Sequence, residues 1–273
     1  MFRSTLLACA ALIGGLSPAV VARCQWTVLR NAVDDYLYSL ESSEIQDPYL
    51  ASGVKYIEND RVISIKTGIL SHPLKVDFTR TLFDQETCST FSEIIVTDPN
   101  NPYVIGTRLS FNEIPDSALV TVAVVDSVVT TTGDWLFNAT KTLQYTEAES
   151  WITLDESERD RALLRSAADA YLDLWGNPNA PVPWGYPCRR LEGSAYTGNG
   201  SATDTCAVGI PGGNQPPNTN RRYVIDENIG SINVLTTFGT MRNAPDSHTF
   251  RLEGGKLRYV HTMTVMRNLT RTA

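Results

Sequence analysis

Two helical stretches of this chain are nearly the same stretch written twice. Thr27–Leu40 (TVLRNAVDDYLYSL) and Ala162–Trp175 (ALLRSAADAYLDLW) lie 135 residues apart and agree at six of fourteen positions. The identities are Leu29/Leu164, Arg30/Arg165, Ala32/Ala167, Asp34/Asp169, Tyr36/Tyr171 and Leu37/Leu172. Both carry apolar residues at helical spacing, so each presents one apolar stripe. The register continues downstream. Tyr56–Asn59 falls against Arg190–Gly193 at an offset of 134, and Val124–Ser127 against Tyr259–Thr262 at 135. Two amphipathic helices can resemble each other by chance. Three segments in the same order at nearly one offset argue for a duplicated module.

Each half then has one plan: a long helix, a short connector and several strands. Helix first and antiparallel strands afterwards predicts an α+β fold built as two tandem modules. Expected boundaries are a signal peptide at 1–22, a first module at 23–150 and a second at 151–273. Asp155 or Ser157 is the expected cap of the second helix. Gly193–Asn220, rich in Gly, Asn, Pro and Ser, reads as a long loop.

Leu6–Leu16 is a short apolar stretch behind Arg3, and small residues precede Arg23, the pattern of a secretory signal cut near Ala22. Sequons at Asn138, Asn199 and Asn268 fit that route as glycosylation sites. So do the four cysteines after Cys9, because an even number in an oxidising compartment reads as disulfides. Four cysteines allow three connectivities, of which one pair per half, Cys24–Cys88 and Cys188–Cys206, is favoured. No cysteine–histidine spacing matches a metal motif. A net charge of −7 without a basic run speaks against nucleic acid. No stretch reaches the 18 apolar residues of a membrane span, and no phosphate-binding glycine motif points to a nucleotide. The expected partner is a small molecule without cofactor or metal, and a homodimer is compatible with the sequence.

The chemistry-bearing residues cluster near the end. His248–His261 reads HTFRLEGGKLRYVH, and Gly254-Gly255 between alternating flanks predicts a two-residue hairpin. Folded there, Phe250 meets Tyr259 and His248 meets His261, placing two imidazoles side by side on an apolar face. Such a pair, one ring neutral and one protonated, supplies a base and an acid near neutral pH. The plainer alternative is a strand histidine bonded to backbone or a nearby Asp. Asp126, the repeat mate of His261, gives the first module a carboxylate at that position.

Cys188–Gly193 (CRRLEG), Asn220–Glu227 (NRRYVIDE) and Pro245-Asp246-Ser247-His248 with Arg251 and Gly254-Gly255-Lys256 resemble a family of secreted fungal proteins of mostly unknown function. That family is built as two nuclear-transport-factor-2-like modules, a superfamily that includes SnoaL-type cyclases and ketosteroid isomerase, so the resemblance implies two tandem cone-shaped modules, each an N-terminal helix packed on a curved antiparallel sheet. Some of its members resemble the dimerising cyclases of maleidride biosynthesis, which join maleic-anhydride monomers. The resemblance implies a cofactor-independent cyclase or isomerase acting by proton transfer on a small, anionic, polyketide-like substrate.

In this reading His261, His248 and Asp126 are the catalytic candidates. Arg189, Arg190, Arg221 and Arg222 are candidates to hold a carboxylate or anhydride, because a guanidinium fork matches two oxygens. Ordinary salt bridges to Glu192, Asp226 and Glu227 are the simpler role for at least two of them. Tyr259 and Glu192 complete the substrate-binding candidates, as hydrogen-bond donor and as buried acid. Tyr36 and Tyr171 are expected in the core, Glu58 is the repeat mate of Glu192, and His72 reads as a loop residue. The rival reading is a secreted, non-catalytic small-molecule-binding or effector protein.

Overall fold

The computed structural model describes residues 24–45, 50–114 and 120–266. The expected signal segment and Asn268 lie outside them. Helix α1 spans Trp26–Ser42, and the first sheet follows as β1 (Leu50–Glu58), β2 (Arg61–Val62), β3 (Phe78–Asp84), β4 (Ser89–Val96), β5 (Tyr103–Glu113) and β6 (Val120–Thr130). A short helix α2 (Ala139–Glu147) leads to α3 (Arg161–Asp173). The second sheet comprises β7 (Trp184–Glu192), β8 (Ala195–Tyr196), β9 (Thr219–Asp226), β10 (Ser231–Phe238), β11 (Ala244–Glu253) and β12 (Lys256–Thr264).

The two sheets have one topology. Their strand orders are β2-β1-β6-β5-β4-β3 and β8-β7-β12-β11-β10-β9. Both are mixed rather than antiparallel as expected, because β1 runs parallel to β6 and β7 parallel to β12. In each, a four-stranded meander ends beside the strand that began the module, and the two run the same way. The ladders also break at matching places. Leu50–Lys55 bulges opposite Val122–Val124, and Trp184–Arg189 bulges opposite Leu257–Tyr259. A shared irregularity at the offset of the sequence repeat is the structural counterpart of that repeat.

The apolar stripes form as the spacing predicts. α1 buries Leu29, Ala32, Val33, Tyr36 and Leu40, and α3 buries Leu164, Ala167, Ala168, Tyr171 and Leu172. Asp160, not Asp155 or Ser157, caps α3, its carboxylate accepting the Leu163 N–H at 2.8 Å. Asp155 instead opens a 3₁₀ turn that contains Ser157. Both favoured disulfides are present, with Cα–Cα distances of 5.4 and 5.2 Å. No helix among the described residues is long and apolar enough to cross a membrane.

Each sheet packs its helix on one face and the other sheet on the opposite face, giving a helix–sheet–sheet–helix stack. Between the sheets, Leu82, Phe91, Ile95, Val104 and Val128 meet Val224, Leu235, Met263 and Val265 in one buried cluster. Burying such side chains contributes about 1.5–3 kcal/mol each. The sequence reading did not place α2 or β3. Strand β3 is an edge strand whose buried end packs against the other module, so its own sequence carries a weak period-two signal.

Candidate active site

The Gly254-Gly255 turn forms with both residues at positive φ, 56° and 68°, and it pairs Glu253 with Lys256 and Leu252 with Leu257. Beyond that the expected register fails. The ladder skips Arg258, so Arg251 opposes Tyr259, Phe250 opposes Val260, Thr249 opposes His261 and His248 opposes Thr262. One extra residue on one strand moves all that follows to the other face. The guanidinium of Arg258 secures the bulge by donating to the carbonyls of Tyr186 and Pro187. His248 therefore faces α3 with Phe250 and Leu252, while Tyr259, His261 and Met263 face the first module. The two imidazoles are separated by the sheet rather than paired.

His248 lies in the hollow between α3 and the second sheet. Its ring is surrounded by Phe238, Tyr171, Phe250 and Trp175 at centroid distances of 5.7, 5.9, 5.9 and 6.2 Å. Nδ1 sits 2.5 Å from Oδ1 of Asp246, two residues earlier on the same strand face. The other carboxylate oxygen accepts from Thr264 Oγ1 at 2.5 Å. A carboxylate on Nδ1 selects the tautomer whose lone pair is on Nε2. No hydrogen bond from the described residues reaches Nε2. The residue borders a cavity of about 140 Å³ lined by Trp135, Tyr171, Trp175, Arg190, Glu192, Phe238, Asp246, His248 and Thr264, among others. A single water needs only about 10–15 Å³ by the same measure.

The far wall of that cavity is tied down by Arg190. Its guanidinium donates to Tyr171 Oη and Cys206 O, both at 3.3 Å, to Glu192 Oε2 at 3.0 Å, and to Val208 O. Burial pushes the Tyr171 hydroxyl up, and the adjacent guanidinium only partly offsets this. Tyr171 therefore stays a neutral phenol. Arg190 donates to its oxygen, which leaves the phenolic hydrogen to be donated elsewhere.

His261 occupies a different kind of place. Nδ1 lies 2.9 Å from Glu93 Oε1 and Nε2 lies 2.8 Å from Glu149 Oε2, so both ring nitrogens are engaged and the ring is buried between the sheets. Burial alone would depress its pKa, but Glu149 and Glu93 together raise it to about 9. Arg80 adds a second cation, 3.5 Å from Glu93, with its guanidinium 3.9 Å over the Trp151 ring. Burial would raise the Glu93 carboxyl, but His261 and Arg80 hold it below its ordinary value. The cluster staples β12 to β4 and to the segment after α2, and it borders none of the cavities described.

Asp126, at the matching position of the first module, also faces the interface. It is buried and pairs with Arg222 of β9 at 2.7 Å. Arg222 and Arg80 stand at equivalent positions of the two outer strands, opposite Leu235 and Glu93. Arg222 meets an aspartate, whereas Arg80 lies near a histidine at the equivalent place. Two cations there require the carboxylates of Glu93 and Glu149 between them.

The four arginines do not converge. Arg221 pairs with Asp169 and Asp173 on α3, Arg222 with Asp60 and Asp126, and Arg189 lies 3.8 Å from Asp204. Only Arg190 reaches the cavity, with both terminal nitrogens already used. Tyr259 is half-buried on the opposite face, beside Trp151. Glu192 lines the cavity and also accepts from Trp135 Nε1 at 2.9 Å. Asn138 and Asn199 are exposed, with Asn138 capping α2, and His72 is an exposed loop residue. Sequence reasoning gave no role to Asp246, although its spacing of two from His248 on a strand puts both on one face. Glu93, Glu149 and Arg80 carried no local signal.

The first module lacks these groups. Thr107 stands where the second has His248, opposite Ser127 rather than Thr262, and Ile105 stands where it has Asp246. Thr107 Oγ1 bonds Tyr36 Oη and Ser127 Oγ, both at 2.9 Å. The remaining space is about 20 Å³, little more than one water requires.

Comparison with known proteins gives one match. A family described as a domain of unknown function (DUF8021) matches residues 157–264, which hold α3, the whole second sheet, Asp246 and His248. No curated protein and no solved structure matches the chain.

Proposed function

We propose that the second module is a cofactor-independent acid–base enzyme, a cyclase or isomerase that moves a proton at carbon on a small enolisable molecule. One observation carries this reading. His248 is oriented by Asp246 through Nδ1, lines a cavity, and has no hydrogen bond to Nε2 from any described residue. An imidazole so held is a general base, and its conjugate acid returns the proton elsewhere on the substrate. The Tyr171 phenol, polarised by Arg190, is the donor for the enolate-like oxygen that forms. Ring walls keep water from the intermediate.

The residues narrow the substrate. The cavity holds the carboxylates of Asp246 and Glu192, and its one guanidinium has no free terminal N–H group. We therefore read the ligand as neutral, flat and largely apolar, and give up the anion clamp that the joining of anhydride monomers suggested. The nuclear-transport-factor-2-like assignment belongs to the same proposal. It is supported by a helix packed on one face of a six-stranded sheet of the same strand order in both modules. Two disulfides fit a secretory setting for it.

The test pairs gene deletion with complementation. Metabolites of the deletion strain should show an accumulated enolisable precursor, restored to product by the wild-type gene and not by His248→Gln. Full restoration by that variant would refute the mechanism. An accumulated ligand that the purified protein binds without converting would establish the binding-protein reading instead.

A further inference from the structure

We propose that Trp135, a residue of the connector between the modules, determines which molecules reach His248. This rests on the reading above only in taking the second hollow as the ligand site. The indole lines that cavity yet keeps 36% of its surface exposed, so it is both wall and rim. Its Nε1 donates to Glu192 Oε1, and Glu192 in turn holds Arg190, so the rim is coupled to the Tyr171 wall.

The connector is fastened to the second module along its length. Trp135 N donates to Thr264 O at 3.3 Å, Ser194 N to Leu136 O at 2.8 Å, Thr142 Oγ1 to Gly193 O at 3.0 Å and Met266 N to Asp134 Oδ1 at 2.7 Å. Gly193 allows the approach. It sits at φ +59°, and a Cβ there would lie 2.6 Å from Trp135 O. A wall placed this firmly by the first half of the chain makes the site composite: residues 157–264 alone would leave its mouth open. With Tyr171, Trp175 and Phe238 as the other rings, the indole admits a planar apolar molecule edge-on and excludes bulkier ones.

The three histidines provide the test. Diethyl pyrocarbonate acylates unprotonated imidazole, and peptide mass spectrometry reads each site separately in the full-length protein near neutral pH. His72 is exposed and serves as the internal standard. His261, sealed and protonated, stays unmodified while the fold is intact. In the wild type His248 should react slowly relative to His72. Trp135→Ala should raise the His248 rate by about tenfold, a barrier change of about 1.4 kcal/mol. Trp135→Phe, which keeps one aromatic ring in the wall while losing the bond to Glu192, should stay nearer the wild type than the alanine variant. Equal His248 rates in the wild type and the alanine variant would overturn the proposal and leave the site reading standing. No reaction at His248 in any of the three proteins would overturn both.

Discussion

Asp84 and Asp226, the last residues of β3 and β9, each cap the backbone of the other's strand. Asp84 Oδ2 accepts the Ile225 N–H at 3.0 Å, and Asp226 Oδ2 accepts the Phe83 N–H at 2.9 Å. The exchange is reciprocal because the sheets meet through equivalent edges. The two carboxylates nevertheless differ in charge balance. Burial would raise Asp84, but Arg161 at 2.8 Å and the Ile225 and Thr87 amides hold it below its ordinary value. Asp226 has no such cation among the described residues, and burial pushes it up.

Their replacement should therefore be unequal. Asp84→Ala takes the nearest carboxylate from Arg161, leaving it Glu86 at 3.4 Å and Glu227 at 3.9 Å, and leaves the Ile225 and Thr87 amides without their acceptor, so it should cost about 2–4 kcal/mol. Asp226→Asn keeps an oxygen for the Phe83 amide and removes a charge that burial disfavours, but sets an NH2 against the Asn228 N–H that Oδ1 accepts at 3.0 Å, so it should cost less than Asp84→Ala, about 1–2 kcal/mol. Urea unfolding at neutral pH measures both, and equal costs would contradict the assignment.

The His261 cluster predicts a pH profile. The folded pKa is raised to about 9 from an ordinary 6.5, so its stabilisation is fully present below 6.5 and is lost as pH rises through about 9. Glu93 is depressed, so its contribution is present above the ordinary 4.5 and lost as pH falls below it. Stability should form a plateau between those limits and fall on both sides. His261→Gln leaves Glu93 and Glu149 sharing Arg80 alone, and should cost about 3–5 kcal/mol and flatten the alkaline limb. Denaturant midpoints of both proteins across pH provide the check. An unchanged alkaline limb would remove His261 as its origin.

The repeat, the helix stripes and the glycine turn were legible because each rests on local spacing. Tyr36 and Tyr171 fall on buried stripes, and Gly254-Gly255 turns as its two positive φ values require. The register beyond the turn was not legible. Arg258 is expelled from the ladder by carbonyls of Tyr186 and Pro187, some 70 residues earlier, and no alternation within the hairpin reports that. That single residue moved His261 from the cavity to the interface. The same limit hid Glu93 and Glu149, whose burial exists only once the second sheet covers the first.

The Cys188–Cys206 bridge should matter twice. It closes a separation of 18 residues, worth about 3 kcal/mol by chain entropy. It also fixes the segment whose Cys206 and Val208 carbonyls receive Arg190. The double variant Cys188→Ala, Cys206→Ala should melt lower and should also raise the diethyl pyrocarbonate rate at His248, because the wall that holds Tyr171 loosens. Lower stability with an unaltered His248 rate would assign the bridge to the fold alone.

Thr264 sets the last prediction. Its hydroxyl donates to Asp246 Oδ2 while Oδ1 faces His248 Nδ1, so Thr264 is a positioning residue acting through the carboxylate. Thr264→Ser keeps the donor. Thr264→Val keeps the shape, removes a hydrogen bond to a charged group worth about 1.5–3 kcal/mol, and lets the carboxylate rotate. Nitrogen NMR of the imidazole should show a single tautomer, protonated at Nδ1, in the wild type and the serine variant. It should show a mixture in the valine variant. Where a substrate is in hand, the valine variant should lose turnover with little change in KM, since the hydroxyl it removes is committed to Asp246 and the cavity wall keeps its shape. A single tautomer in the valine variant would show that Asp246 needs no help to orient the ring.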